Sequence, residues 1–149
     1  VEVVVGLKSG GKDIAADTAL DCVYGYAVGI DFTRRDLQAI AKDKGRPWDV
    51  AKGFDQSAPI SAILPASEVA GLQDRQISLR VNDEVRQQAR LDDMIWSVPE
   101  IICELSKFFE LKAGDLIYTG TPSGVASVVR GDHLDASVEG IATLEFNIV

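Results

Sequence analysis

Apolar residues along this chain bunch into short β-branched or alternating runs, and they recur at helical intervals in only two places. Val1 to Leu7 (VEVVVGL) is β-rich and runs into the turn-forming Ser9-Gly10-Gly11-Lys12-Asp13, so a strand opens the sequence. Asp17 to Asp21 suits one helical turn. Val23 to Phe32 then has the small and aromatic residues of a buried strand, with Gly25 and Gly29 allowing close approach of another backbone. Ile60 to Leu64, Leu116 to Tyr118 and Ala142 to Val149 supply further strands. Ile77–Val81 and Glu84–Arg90 flank Asn82-Asp83, a dipeptide that tolerates the positive φ of tight turns, and predict a hairpin.

The first helical pattern follows Thr33, whose spacing to Asp36 is that of an N-cap with an acidic first turn. Leu37, Ile40 and Ala41 carry it over about 34–44. The second opens with Ser97-Val98-Pro99-Glu100, a capping box with proline in the first turn. Ile101, Ile102, Leu105, Phe108 and Phe109 then line one face over about 98–109. Pro47, Gly53 and Pro59 break the stretch between into a loop that carries Lys52 and Asp55. About seven strands and two short helices, without βαβ alternation, predict an α+β, predominantly β domain built as a mixed β-sheet roll. No repeat or low-complexity linker divides residues 1–149, so a single domain is expected.

Composition narrows the function classes. The 149 residues, 46% hydrophobic and 26% charged, suffice for one core. A net charge of -8 excludes a nucleic-acid partner, which needs a basic footprint to displace counterions. With no apolar run of about 18 residues and no signal-peptide pattern, we expect no membrane association and a cytoplasmic location. Cys22 and Cys103 stand far apart in apolar segments, as reduced core thiols rather than a disulfide or zinc site. Val1 already lies inside a strand-like run with no initiator Met, the pattern of a fragment whose N-terminal portion is missing.

Glu2, within the first strand, and Asp31, at the end of the second, can together offer hard oxygen ligands to a divalent cation. From spacing alone both acids read first as a solvated strand-face residue and a loop acid. Arg35 and Gln38, three apart on a helix, can clamp a carboxylate or simply sit on an exposed face. Lys52 lies between Trp48 and Phe54, where aromatic walls would aim an ammonium at an anion. Thr119-Gly120-Thr121-Pro122 follows a strand and offers hydroxyls and main-chain N–H groups, or is merely a turn. His133 is the only histidine and reads as a surface turn. With no nucleophile elbow and both cysteines in apolar segments, covalent catalysis is disfavoured.

Taken together, GIDFTRRDLQ (29–38), GRPWDVAKGFDQSAP (45–59), DMIWSVPEIICELS (93–106) and GDLIYTGTPSGV (114–125) resemble the fumarylacetoacetate hydrolase family, nearest its fumarylpyruvate hydrolase and acylpyruvase branch. The resemblance implies the C-terminal domain fold of that family and a Mg2+, Mn2+ or Ca2+ ion. Its Glu-x-Glu motif would place a first ligand just before Val1, with Glu2 and Asp31 as the others. Arg35, Gln38, Lys52 and Thr121 would bind a small 2-oxo acid, with Lys52 also catalytic. The implied activity is hydrolysis of the C–C bond of acylpyruvates such as fumarylpyruvate, by a homodimer to which Ile95, Trp96 and Phe108 would contribute apolar surface. Oxaloacetate decarboxylation, isomerisation or decarboxylation of an oxo-dioate, and non-catalytic oxo-acid binding are the alternatives. The family's water-activating His-Glu pair has no counterpart here, and His133 is not its replacement. Ala126 stands where the family often has glycine.

Overall fold

Five of the first seven residues are apolar, four of them valine, and the strand they form is buried on both faces, as expected of a central strand rather than an edge. The computed structural model describes all residues, 1–149. β1 (Glu2–Leu7) lies between β2 (Val23–Gly29) and β6 (Leu116–Tyr118), and the two-residue β3 (Leu64–Pro65) completes a four-stranded sheet in the order β3-β2-β1-β6. Gly25 and Gly29 permit this closeness. A Cβ at Gly25 would fall 2.1 Å from the Leu64 carbonyl oxygen, and one at Gly29 would fall 2.7 Å from Tyr118 Cε1.

β4 (Gln76–Val81) and β5 (Glu84–Arg90) form the expected hairpin, with Asn82 and Asp83 at φ 51° and 66°. With β7 (His133–Val138) and β8 (Ala142–Asn147) they make a second sheet, in the order β5-β4-β7-β8. All pairings in both sheets are antiparallel. Ile77, Leu79 and Val81 of β4 alternate inward, as do Leu134, Ala136 and Val138 of β7, and they meet Val3, Val5 and Val28 of the first sheet in one core. The fold is therefore α+β and mainly β.

α3 (Val98–Phe108) begins as predicted, with the Glu100 carboxylate accepting the Ser97 N–H at 2.7 Å. It inserts Val98 and Ile102 into the core and buries Ser106, whose hydroxyl accepts Ile14 N–H at 2.9 Å and donates to the Cys103 carbonyl at 2.8 Å. α1 (Arg35–Asp43) is capped at Arg34 without a side-chain bond, so Thr33 does not serve as the expected cap. The segment read as loop contains a single helical turn, α2 (Asp49–Lys52). β7 was not among the expected strands. Its HLDASV alternates cleanly, but Asp, Ala and Ser are poor strand formers, and pairing on both sides by β4 and β8 overrides that preference.

Cys22 is buried and Cys103 half-buried, both as free thiols. No helix is long and apolar enough to cross a membrane. Ile95 (96% exposed), Trp96 and Phe108 (75%) lie on the surface rather than in the core.

Candidate active site

Glu2 pairs with Gly29 in the β1–β2 ladder, and Asp31 follows two residues later as the chain leaves β2, so strand register alone brings the two acids to one end of the first sheet. Both face a cavity of about 540 Å³, together with Arg35, Lys52 and Thr121. Glu2 is only 6% exposed, and its Oε2 accepts the Gly120 N–H at 2.7 Å. Burial raises its carboxyl above the ordinary range and the Asp31 charge adds to this, while the Gly120 hydrogen bond opposes them. The same two acids, after burial, help push the Tyr118 phenol up; its hydroxyl donates to the Ala58 carbonyl at 2.8 Å.

Lys52, the last residue of α2, donates from its ammonium to Asp31 Oδ2. Two contacts from the start of α1 hold that turn in place. The Arg34 N–H donates to the Ala51 carbonyl at 3.0 Å, and the Arg34 guanidinium lies 4.2 Å from the centre of the Phe54 ring. Phe54 therefore packs against Arg34. Arg35 lines the cavity and donates from Nη1 to Gln38 Oε1 at 2.9 Å. Gln38 is not part of the lining; it braces Arg35 from behind.

The Thr121 hydroxyl is fully committed within the protein. It donates to the Val1 carbonyl at 2.9 Å and accepts from Gln87 Nε2 at 2.9 Å and from the Val1 nitrogen at 3.3 Å. What this turn can offer a ligand is main-chain N–H groups, since that of Thr121 finds no acceptor in the chain. Ala126 lies on the same cavity wall without a positive φ, so its backbone has no need of glycine. His133 is the first residue of β7, not a turn; its Nδ1 lies 3.2 Å from Asn147 Oδ1, and it is not part of the cavity.

Sequence reasoning missed Arg86 and Gln87, both on the cavity wall. Only the slip in alternation along Glu-Val-Arg-Gln-Gln-Ala-Arg marked them. The donor chemistry suits a hard cation. Glu2 and Asp31 are oxygen ligands without a soft neighbour, and two carboxylates held near one another in a partly desolvated site gain from a positive charge between them. The set is a pair, for no three His, Cys, Asp or Glu side chains gather in a group that could hold a metal.

Residues 1–149 match the family described as fumarylacetoacetate (FAA) hydrolase, C-terminal. The chain is 44% identical to the fumarylpyruvate hydrolase of a Ralstonia species over 99% of its own length and 77% of that protein's. It is 40% identical to the mitochondrial oxaloacetate tautomerase of Rattus norvegicus over 99% of its length and 67% of the relative's. The crystal structure of fumarylpyruvate hydrolase from Pseudomonas aeruginosa, in complex with Mn2+ and pyruvate, superposes with a TM-score of 0.96 at 47% identity. The match covers 99% of this chain but 64% of the Pseudomonas chain, so our chain spans slightly less than two thirds of that protein.

Proposed function

The chain belongs to the fumarylacetoacetate hydrolase family, and from that premise we propose that it is the catalytic domain of a divalent-cation-dependent hydrolase acting on acylpyruvates such as fumarylpyruvate. The observation that carries this reading is one cavity in which the acids Glu2, Asp31 and Asp36 stand with the cationic side chains Arg35, Lys52 and Arg86. That combination suits a small anion bound through a metal, and the similar Pseudomonas enzyme has been crystallised with Mn2+ and pyruvate.

Glu2 and Asp31 would hold the cation, and the family pattern would add a third carboxylate two residues before Glu2. When bound, such a cation polarises the 2-oxo group and stabilises negative charge that develops there. Arg35, braced by Gln38, fixes the substrate carboxylate, and the main-chain N–H groups of the Thr121 turn orient it. Water adds to the distal carbonyl carbon. The C–C bond then breaks, its electron pair passes to the pyruvate portion as an enolate, and protonation releases pyruvate and the second acid. Lys52, aimed by Asp31, donates a hydrogen bond to the enolate oxygen as it gains charge.

An assay of fumarylpyruvate hydrolysis in the complete protein, with and without a chelator and in Asp31→Ala, tests the reading. Loss of turnover in both arms is expected, and full activity in Asp31→Ala would remove it. The tautomerase relatives favour a second reading, in which the same enolate-stabilising site moves a proton in oxaloacetate and no water attacks. Fumarylpyruvate and oxaloacetate assayed side by side separate the two, and measuring carbon dioxide release in the same run detects decarboxylation.

We further propose that the working form is a homodimer. A second cavity of about 690 Å³ lies beside Ile95 and Trp96, and a second copy would cover this apolar surface.

A further inference from the structure

β5 turns outward residue after residue, yet Gln87 in its middle is 3% exposed, one of three buried polar or charged side chains in the chain. A bulge causes this. Leu79 pairs with Gln87 and Arg80 with Val85, which leaves Arg86 as the extra residue and reverses the alternation beyond it. Val85 therefore points to solvent and Gln87 points between the sheets.

There the Gln87 amide is fully occupied. Nε2 donates to Thr121 Oγ1 at 2.9 Å and to the Pro122 carbonyl at 2.8 Å, and Oε1 accepts at 2.8 Å from the Val1 nitrogen, a terminal ammonium here and a peptide N–H in any longer chain. These bonds fall where main-chain pairing runs out. β1 is paired to β6 only from Val4, Thr119 bonds the Val3 carbonyl, and beyond that Thr121 Oγ1 and Gln87 hold both polar groups of Val1. Glu2 lies between these anchored positions, with its carboxylate on Gly120 of the same turn. The far end of the turn rests on the bulge itself, since a Cβ at Gly124 would fall 2.1 Å from the Arg86 carbonyl oxygen.

We propose that Gln87 is a positioning residue that couples the cation-binding strand to the oxo-acid turn, so that Glu2 and the Thr121 main chain keep one geometry. This rests on the functional reading given above. Gln87 lies on the cavity wall, but its amide is spent on Val1, Thr121 and Pro122, so its action passes through them.

The test uses the complete protein, with Mn2+ and then pyruvate as titrants, followed by steady-state kinetics. Gln87→Leu removes all three bonds. Gln87→Glu keeps an acceptor for the Val1 nitrogen but opposes the Pro122 carbonyl with a second acceptor; being isosteric, it carries the test if the leucine variant does not fold. Pyruvate binding should weaken about tenfold in either variant, Mn2+ binding about tenfold in Gln87→Leu and less in Gln87→Glu. KM should rise while kcat falls less than about threefold. Val85→Thr, at an exposed position of the same strand that lines neither cavity, should behave as wild type. Because the proposed action passes through Thr121, adding Thr121→Val to Gln87→Leu should cost less than the two separate losses combined. Wild-type binding of both titrants by the Gln87 variants, or fully additive losses with Thr121→Val, overturns the proposal while leaving the functional reading standing. Failure of the wild-type protein to bind Mn2+ and pyruvate overturns that reading, and this proposal with it.

Discussion

Lys52 donates its ammonium to Asp31, so the cation and anion central to the site sit in one ion pair at the cavity wall. With side chains about one third exposed, the pair contributes little to stability, and its weight falls on the chemistry. Lys52→Met should lower kcat by about 100- to 1000-fold, as expected when a donor to a developing oxyanion is lost. Mn2+ affinity should hold or rise, because Asp31 is freed for the ion. Rapid kinetics together with a Mn2+ titration check both halves.

Glu2 links pH to stability. Its carboxyl is raised in the folded protein, so without metal its contribution is fully present below the unfolded value near 4.5 and is lost as pH rises through the folded one. Once the pH is above the folded value, the metal-free fold carries an unfavourable charge. Glu2→Gln should therefore make the metal-free Tm fall less as pH rises than in the wild type, since the amide oxygen can still accept the Gly120 N–H. The same variant should lose the gain from Mn2+, which for a single site at 100 times Kd is about 2.7 kcal/mol. Thermal unfolding at several pH values, with and without Mn2+, measures both effects.

Arg35 and Gln38 should separate in magnitude. Removing the guanidinium in Arg35→Ala takes away a charge-assisted bond worth about 1.5–3 kcal/mol, which would raise KM for an oxo acid about 10- to 100-fold. Gln38→Leu leaves the charge and removes only its brace, so a rise of about threefold is expected. Steady-state kinetics on both variants checks the order.

Ile95 is 96% exposed, so Ile95→Asp should change the folding stability of an isolated copy by less than about 0.5 kcal/mol. If this face joins two copies, the charge should shift the protein toward monomer in sedimentation velocity. An unchanged dimer would place the interface elsewhere.

The strands were legible where the side chains themselves prefer the extended state, as in β1 and β2, and where a turn dipeptide announces a hairpin, as at Asn82-Asp83. β7 was not, because its polar half is made of weak strand formers and only its neighbours settle the conformation. Among the site residues, Glu2, Asp31, Arg35, Lys52 and Thr121 come together on one cavity, and Gln38 stands behind it. Register explains the acids, but no local pattern shows that the Thr121 hydroxyl is used inside the protein, or that Phe54 belongs to Arg34. Gln87 was marked only by a slip in alternation, because in sequence it is one polar residue among exposed ones and a bulge decides which way it faces.

The bonds that close the cavity span most of the chain, since Val1 meets Gln87 and Thr121 at separations of 86 and 120 residues. A nascent chain emerging at about 5–20 residues per second would hold its first acid-bearing strand for several seconds before the turn that completes the pocket becomes available. Until then β1, apolar on both faces, lacks its β6 neighbour and is open to pairing with other chains. The topology that builds the site so late also makes early protection of that strand a condition of productive synthesis.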